Sequence, residues 1–358
     1  MGMHWAAPIL QSLIPEDAWN RLQSVQVDPN ETPRDNDPLN FVNSQTGEIM
    51  GAAVMSKFYR LRRSKLRALL APNLDIRYSK KLMDISYPSE NSVAAHFSDG
   101  TSEIGCLLVG ADGASSMVRQ HLCGIEAAQP NRLPFAATFI QASYPRETAL
   151  YLRSFHPLFY AGIHPAGYFG FFGMHDATSQ DLPESWTFFF YLSWKCSVEE
   201  QDASAHWSNE QRLNQARELA RSIKVVDPWK TAYENLADDH PVWYMTFRDW
   251  DPSAHPWDNR DGRVTLAGDA AHTMTYQRGQ GLNNSITDAG NLVKATTSFV
   301  DNNDLEKRKE AIDRYEEEMV KRAGEEVRVS TQNTRMLHVW EEVLQSPVMK
   351  GGMHRNKN

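Results

Sequence analysis

A run from Val264 to Ala267 ends abruptly in Gly268-Asp269, which reads as a buried strand delivering a carboxylate to a turn. A second glycine pair, Gly279 and Gly281, then opens a helix that begins Leu282-Asn283-Asn284. A carboxylate accepts hydrogen bonds from hydroxyls, and the unbonded N–H groups of a helix's first turn favour negative charge. Side by side, Asp269 and the N–H groups from Gly281 to Asn283 suit a polyhydroxylated, electron-accepting ligand. The pattern recurs earlier in the chain. The mostly apolar run Ile104 to Val109 stops at Gly110-Ala111-Asp112-Gly113, ahead of a helix-like stretch from Ser115 to Leu122.

The surrounding elements must hold these turns. Residues 8–22 suggest a short helix around Leu10, Leu13 and Ile14, and the Pro-, Asn- and Asp-rich segment 28–40 reads as a loop. Phe58 to Leu61 looks extended and leads into a helix starting near Ser64. Val93, Ala95 and Phe97 alternate before the tight turn Ser98-Asp99-Gly100, as strands joined by a hairpin do. Residues 134–195 are dense in aromatics, with Phe188-Phe189-Phe190-Tyr191 suited to a buried sheet that packs a core, walls a pocket, or both. Residues 199–237 look helical, and 249–262 form an irregular loop. From about Asp304 to Glu326 a charged helix carries one apolar stripe, Ile312, Tyr315, Met319 and Ala323.

Composition narrows the class. The chain has 358 residues, 41% hydrophobic and 23% charged, enough for a large core and two domains. A net charge of −8 argues against a general nucleic-acid binder. The one basic run, Lys57, Arg60, Arg62, Arg63, Lys65 and Arg67, reads as a solvated helix face. Three scattered cysteines fit neither a disulfide framework nor a zinc site and point to a reducing, cytoplasmic setting. No stretch approaches the roughly 20 apolar residues of a membrane span, and Met1 to Trp5 lacks the makings of a signal peptide.

Leu107-Leu108-Val109-Gly110-Ala111-Asp112-Gly113 with Val118-Arg119 resembles the Asp-Gly motif of the flavoprotein aromatic hydroxylases, the single-component FAD monooxygenases of p-hydroxybenzoate hydroxylase fold. Gly268-Asp269-Ala270-Ala271-His272 through Gly279-Gln280-Gly281-Leu282-Asn283 resembles that family's Gly-Asp motif. Arg63 with Leu66 and Leu70 resembles its Arg-x-x-Leu helix start, and Trp5-Ala6-Ala7-Pro8 resembles an element usually inside its first domain. The resemblance implies an α/β (α+β) fold with an incomplete Rossmann-type FAD domain over 1–125 and 250–300. An inserted antiparallel-sheet substrate domain over 126–249 and a C-terminal helical segment over 301–358 would complete it. It also implies FAD as cofactor, NAD(P)H as reductant, and a small-molecule substrate of secondary metabolism. Asp269 and Gly268 would bind the ribityl or ribose side, Gly279, Gly281, Leu282 and Asn283 the pyrimidine edge, Asp112 the turn shared by FAD and NAD(P)H, and Arg63 the linking phosphates. A large aromatic-lined cleft points to an apolar, polycyclic or phenolic substrate.

Two departures stand out. No Gly-x-Gly-x-x-Gly turn occurs in the chain, so the family's usual pyrophosphate site has no counterpart, as in a truncated member. Tyr276 stands where the family has proline. These features raise an alternative in which FAD has been lost and the cleft is reused for cyclisation, isomerisation or dehydration. Tyr276, His272 and Arg278 would then be the acid or electrostatic groups. A non-catalytic pseudoenzyme is the third reading.

Overall fold

The structure is a computed structural model that describes residues 1–35, 37–55, 57–300 and 304–346. Its largest element is a seven-stranded sheet. The strand order is Val242–Asp249, Asn131–Ala142, Thr187–Lys195, Tyr168–Asp176, Phe159–His164, Asp37–Asn43 and Ile49–Met55. Neighbours run antiparallel except Phe159–His164 with Asp37–Asn43, which are parallel.

Alternation along Thr187–Lys195 divides two cores. Phe188, Phe190 and Leu192 face one side with Trp186, Trp229 and Tyr233, beneath the helices Asn209–Ser222 and Trp229–Glu234. Phe189 and Tyr191 face the other side with Phe139, Phe247 and Tyr276. A side-chain period of two forces this split, because successive Cβ atoms leave opposite faces of a strand. Gly162 and Gly170 make room for Trp229 on the first side. A Cβ at either would lie 2.4 or 2.9 Å from its ring.

The motif-bearing part is smaller. Val264–Leu266 pairs in parallel with Leu108–Gly110, Leu266 opposite Gly110. Each strand runs into its turn at the same end, so the Gly-Asp and Asp-Gly turns lie together. The helix Met117–Cys123 packs tightly on its strand, since a Cβ at Gly110 would come 2.6 Å from Val118. Gly281–Thr297 and Leu305–Leu337 complete this part, with the short helix Ala7–Leu13 lying against the former at Gly290. No helix among the described residues is long and apolar enough to cross a membrane.

Four expectations change. Segment 28–40 is not all loop, because Asp37–Asn43 pairs with Phe159–His164, a partner more than a hundred residues away that local composition does not reveal. The seven-stranded sheet therefore draws on residues 37–55 as well as on 126–249. The C-terminal helix starts as expected, capped by Asp304 on the Lys307 N–H at 3.1 Å, but runs to Leu337. Beyond Glu326 its buried stripe turns polar, with Ser330, Thr331 and Thr334 hydrogen-bonded to partners outside any sequence pattern. The basic run is also not one solvated face. Arg62 and Lys65 pair with Asp176, Arg67 lies over Tyr78, and Arg60 turns inward.

Candidate functional site

Asp269 lies exposed in the turn after its strand, and a Cβ placed on Gly281 would be 3.8 Å from its Oδ1. Gly281 is the first residue of its helix, and Gln280 gives that helix no side-chain cap. The first hydrogen bond there runs from the Asn284 N–H to the Gln280 carbonyl at 3.0 Å. The N–H groups of Gly281, Leu282 and Asn283 have no acceptor among the described residues. A free carboxylate thus sits beside three free donors, which is the arrangement a hydroxylated, electron-accepting ligand requires. Gly279 holds φ at +65° with nothing within 4 Å of a notional Cβ, so the backbone there is open to close approach.

Buried polar groups fix this turn in place. Asp288, with no exposed surface, accepts from the Gly268 N–H at 2.8 Å, from His272 Nε2 at 2.6 Å and from Arg322 at 2.7 Å. Burial alone would raise its carboxyl, but the His272 hydrogen bond, the His272 and Arg322 charges and the Gly268 N–H together hold it below the ordinary value. Arg322 also reaches Asn284 at 2.6 Å and Glu318 at 2.8 Å. Asn283 accepts from the His4 N–H at 3.0 Å and donates to the Gly2 carbonyl at 3.2 Å, while Gln280 accepts from Trp5 Nε1 at 2.9 Å. The Trp5-Ala6-Ala7-Pro8 segment is thereby tied to the helix start.

Arg119 joins the two turns. Its buried guanidinium lies over Trp250, 4.7 Å from the ring centre. It donates to the carbonyls of Ala270 at 2.9 Å and Asp269 at 3.3 Å on one turn, and to Ala114 on the other. Planar, multidentate donation of this kind is what arginine does and lysine does not.

The sequence candidates separate on this geometry. Asp269, Gly268, Gly279, Gly281, Leu282 and Asn283 come together. Asp112 is close by, but its carboxylate caps the helix Met117–Cys123, accepting from Ser116 and from the N–H groups of Met117 at 2.7 Å and Val118 at 3.3 Å. Arg63 is exposed at the start of its own helix. His272 has no accessible surface and faces Asp288, so it meets no ligand in this geometry. Arg278 lines the crevice described next and is paired with Glu326. The residues that sequence reasoning passed over are Asp288, Arg322 and Arg60. None of the three stands out in the sequence, where each lies among other polar or charged residues.

Tyr276 enters the sheet's second core. Its ring lies 4.9 Å from Phe247, 5.3 Å from Phe139 and 5.5 Å from Tyr191. The hydroxyl is buried without a partner among the described residues. Burial, with Tyr191 adding to it, raises the phenol well above its usual range. The flanking loop is held by Thr275 and Gln277 on Thr334, at 2.8 and 2.5 Å, and by Gln277 on Ser193 at 3.4 Å. Beside it runs a crevice of about 60 Å³ between Phe41, Phe159, Phe171, Gln277, Arg278 and Leu337. The expected large cleft is narrow here because Tyr276 and the C-terminal helix pack onto the sheet. A wider depression of about 350 Å³ lies among Arg217, Arg221, Lys224 and Lys230, away from both turns.

Residues 86–330 match the FAD binding domain family. The FAD-dependent monooxygenase cctM of Talaromyces islandicus is 34% identical over all of this chain and 87% of its own length. The FAD-dependent monooxygenase phnB of Penicillium herquei is 31% identical over 98% of this chain and 84% of its own. Among solved structures, CtdE in complex with FAD and a substrate superposes with a TM-score of 0.77 at 15% identity, covering 99% of this chain and 83% of that one. The shared architecture is that of p-hydroxybenzoate hydroxylase-like flavoproteins. The chain belongs to the family of FAD-dependent monooxygenases built on this FAD-binding domain.

Proposed function

We propose that this chain is an FAD-dependent monooxygenase that takes its electrons from NAD(P)H and acts on a planar, largely apolar aromatic small molecule. One observation carries the reading. The open Asp269 carboxylate lies beside the free N–H groups of Gly281 to Asn283, and the loop that follows Asp269 borders an aromatic crevice. The motif-bearing segments within 1–125 and 250–300 would form the cofactor side, and the seven-stranded sheet the substrate side.

FAD, when bound, supplies the electron-transfer and oxygen-transfer chemistry. The chain's residues do the rest. Asp269 would accept from the cofactor's hydroxyls, and the donors of Gly281 to Asn283 would stabilise negative charge on its electron-rich edge. Exposed Arg63 is free to meet phosphate. The Asp112 carboxylate is occupied by its helix cap, so that turn would contribute backbone rather than the carboxylate. Phe159, Phe171 and the Tyr276 loop would keep water from the reacting face.

Of the three groups named for the flavin-free reading, His272 is sealed against Asp288 and the Tyr276 hydroxyl is buried in the second core, so neither is open to a substrate in this geometry. The test is oxygen uptake by the purified protein supplied with FAD and NADPH, across a panel of substituted phenols. Substrate-stimulated uptake with an oxygenated product is expected. Turnover of a phenol without flavin or oxygen would overturn the proposal.

A further inference from the structure

The helix Asn209–Ser222 ends in a backbone closure that usually belongs to glycine. The Val225 N–H returns to the Ala220 carbonyl at 3.2 Å, and the Lys224 N–H to the Arg221 carbonyl at 3.1 Å. This crossed pair requires the residue before Val225 to be left-handed, and Lys224 has φ at +56°. Glycine is the common occupant because a Cβ there crowds the next carbonyl oxygen, a strain that this lysine bears. The same closure shapes a space. Buried Ala220 and Val225 line the depression of about 350 Å³ together with Tyr233 of the helix Trp229–Glu234. Arg217, Arg221 and Lys224 border it from one helix end and Lys230 from the next helix.

Charge around this space is uneven in a chain whose net charge is −8. Glu234 is the one acid among the residues that line it. Of the four cations, only Arg217 has a carboxylate within ion-pair distance among the described residues, Asp238 at 3.1 Å. Asp227 feels the charge of Lys230, but its carboxylate is engaged by the Tyr151 hydroxyl and the Thr231 N–H, each at 2.9 Å. A helix C-terminus attracts cations, which accounts for Arg221 and for the charge of Lys224. It does not account for Lys230, which belongs to the following helix. Nor does it explain the strain, since a lysine at an ordinary helical position would gain the same attraction without it.

We infer that this depression is a binding site for a small organic phosphate. The phosphate takes donors from Arg221, Lys224 and Lys230, and the compact apolar body of the ligand rests on Ala220, Val225 and Tyr233. Its volume falls within the roughly 300–1,000 Å³ of small-molecule sites. A phosphate monoester brings three acceptor oxygens and close to two negative charges, which suits cations drawn from two helices. The depression belongs to the core on the sheet face opposite Tyr276, apart from the crevice and from both glycine turns. It therefore stands independently of the monooxygenase reading.

The test titrates phenyl phosphate into the full chain by calorimetry, at about pH 7.5 so that the phosphate is largely doubly charged. Salt at about 0.15 M screens loose attraction between exposed charges. Inorganic phosphate supplies the charge without the body, and anisole the body without the charge. Phenyl phosphate is expected to bind one to one, more tightly than either, and equally well with FAD added. Lys224→Gly, and Arg221→Gln combined with Lys230→Gln, should each lose roughly 10- to 100-fold in affinity, the worth of a charged hydrogen bond. Lys224→Gly relieves the left-handed strain, so it should unfold at no lower temperature than wild type, and its loss of affinity cannot come from unfolding. Four results would overturn the inference: no binding by wild type, inorganic phosphate binding as tightly as phenyl phosphate, unchanged affinity in Lys224→Gly, or displacement of phenyl phosphate by FAD, which would place it at the cofactor turn.

Discussion

Replacing Asp288 by asparagine tests whether the cofactor-facing turn is held by buried charge. The side chain keeps its shape but loses its charge, and one of its two acceptor atoms becomes a donor. Asp288 has no exposed surface and serves three donors, Gly268 N–H, His272 Nε2 and Arg322. At least one of them must lose its partner. Breaking a buried pair from one side costs about 3–5 kcal/mol. Arg322 is 11% exposed and keeps Glu318 and Asn284, which places the expected loss near the lower end, about 3 kcal/mol. The sign with pH follows from the direction of the shift. The Asp288 carboxyl is held below its ordinary value, so its contribution is full above the unfolded value, about 4, and is lost as pH falls through the folded one. Guanidinium unfolding followed by tryptophan fluorescence gives the comparison at pH 7 and again below pH 4. The two proteins should differ at the first, and the gap should narrow at the second as pH falls toward the folded value. A variant as stable as wild type at pH 7, or a gap that persists undiminished in acid, would refute the role given to this carboxylate.

Other substitutions probe neighbouring contacts. Asp112→Ala removes the cap of the helix Met117–Cys123 and should destabilise by about 1 kcal/mol, read from the unfolding midpoint; no change would show that Ser116 caps that helix alone. Tyr276→Phe deletes a buried hydroxyl that has no partner, so stability should hold or rise. A marked loss in the same unfolding assay would reveal a partner that the geometry does not show.

Much of the site is readable in the sequence because its parts are contiguous. The run Val264 to Ala267, the Gly268-Asp269 turn and the glycines 279 and 281 lie within one stretch, and each has a local steric or electrostatic reason. What escapes is assembled across the chain. Asp288 reads as an ordinary polar position in a helix until the Gly268 N–H and His272 are folded against it. Arg60 sits in a run of cations that looks like a solvent face, and only the distant rings of Phe159 and Phe171 turn it inward. His272 has the opposite history. Its motif suggested chemistry, and burial made it a structural partner. The polar end of the long helix was missed for a related reason. Ser330, Thr331 and Thr334 break the apolar stripe, yet each is hydrogen-bonded in the folded protein.

Titration of FAD into the apoprotein, followed by quenching of flavin fluorescence, tests the central claim most directly. Saturable one-to-one binding is expected, weakened roughly 10- to 100-fold by Asp269→Ala as a charged hydrogen bond is lost. The unfolding midpoint should stay unchanged, because Asp269 is exposed and its carboxylate has no protein partner among the described residues. No saturable binding by the wild-type chain, or equal affinity in the variant, would contradict the assignment of this turn to the flavin.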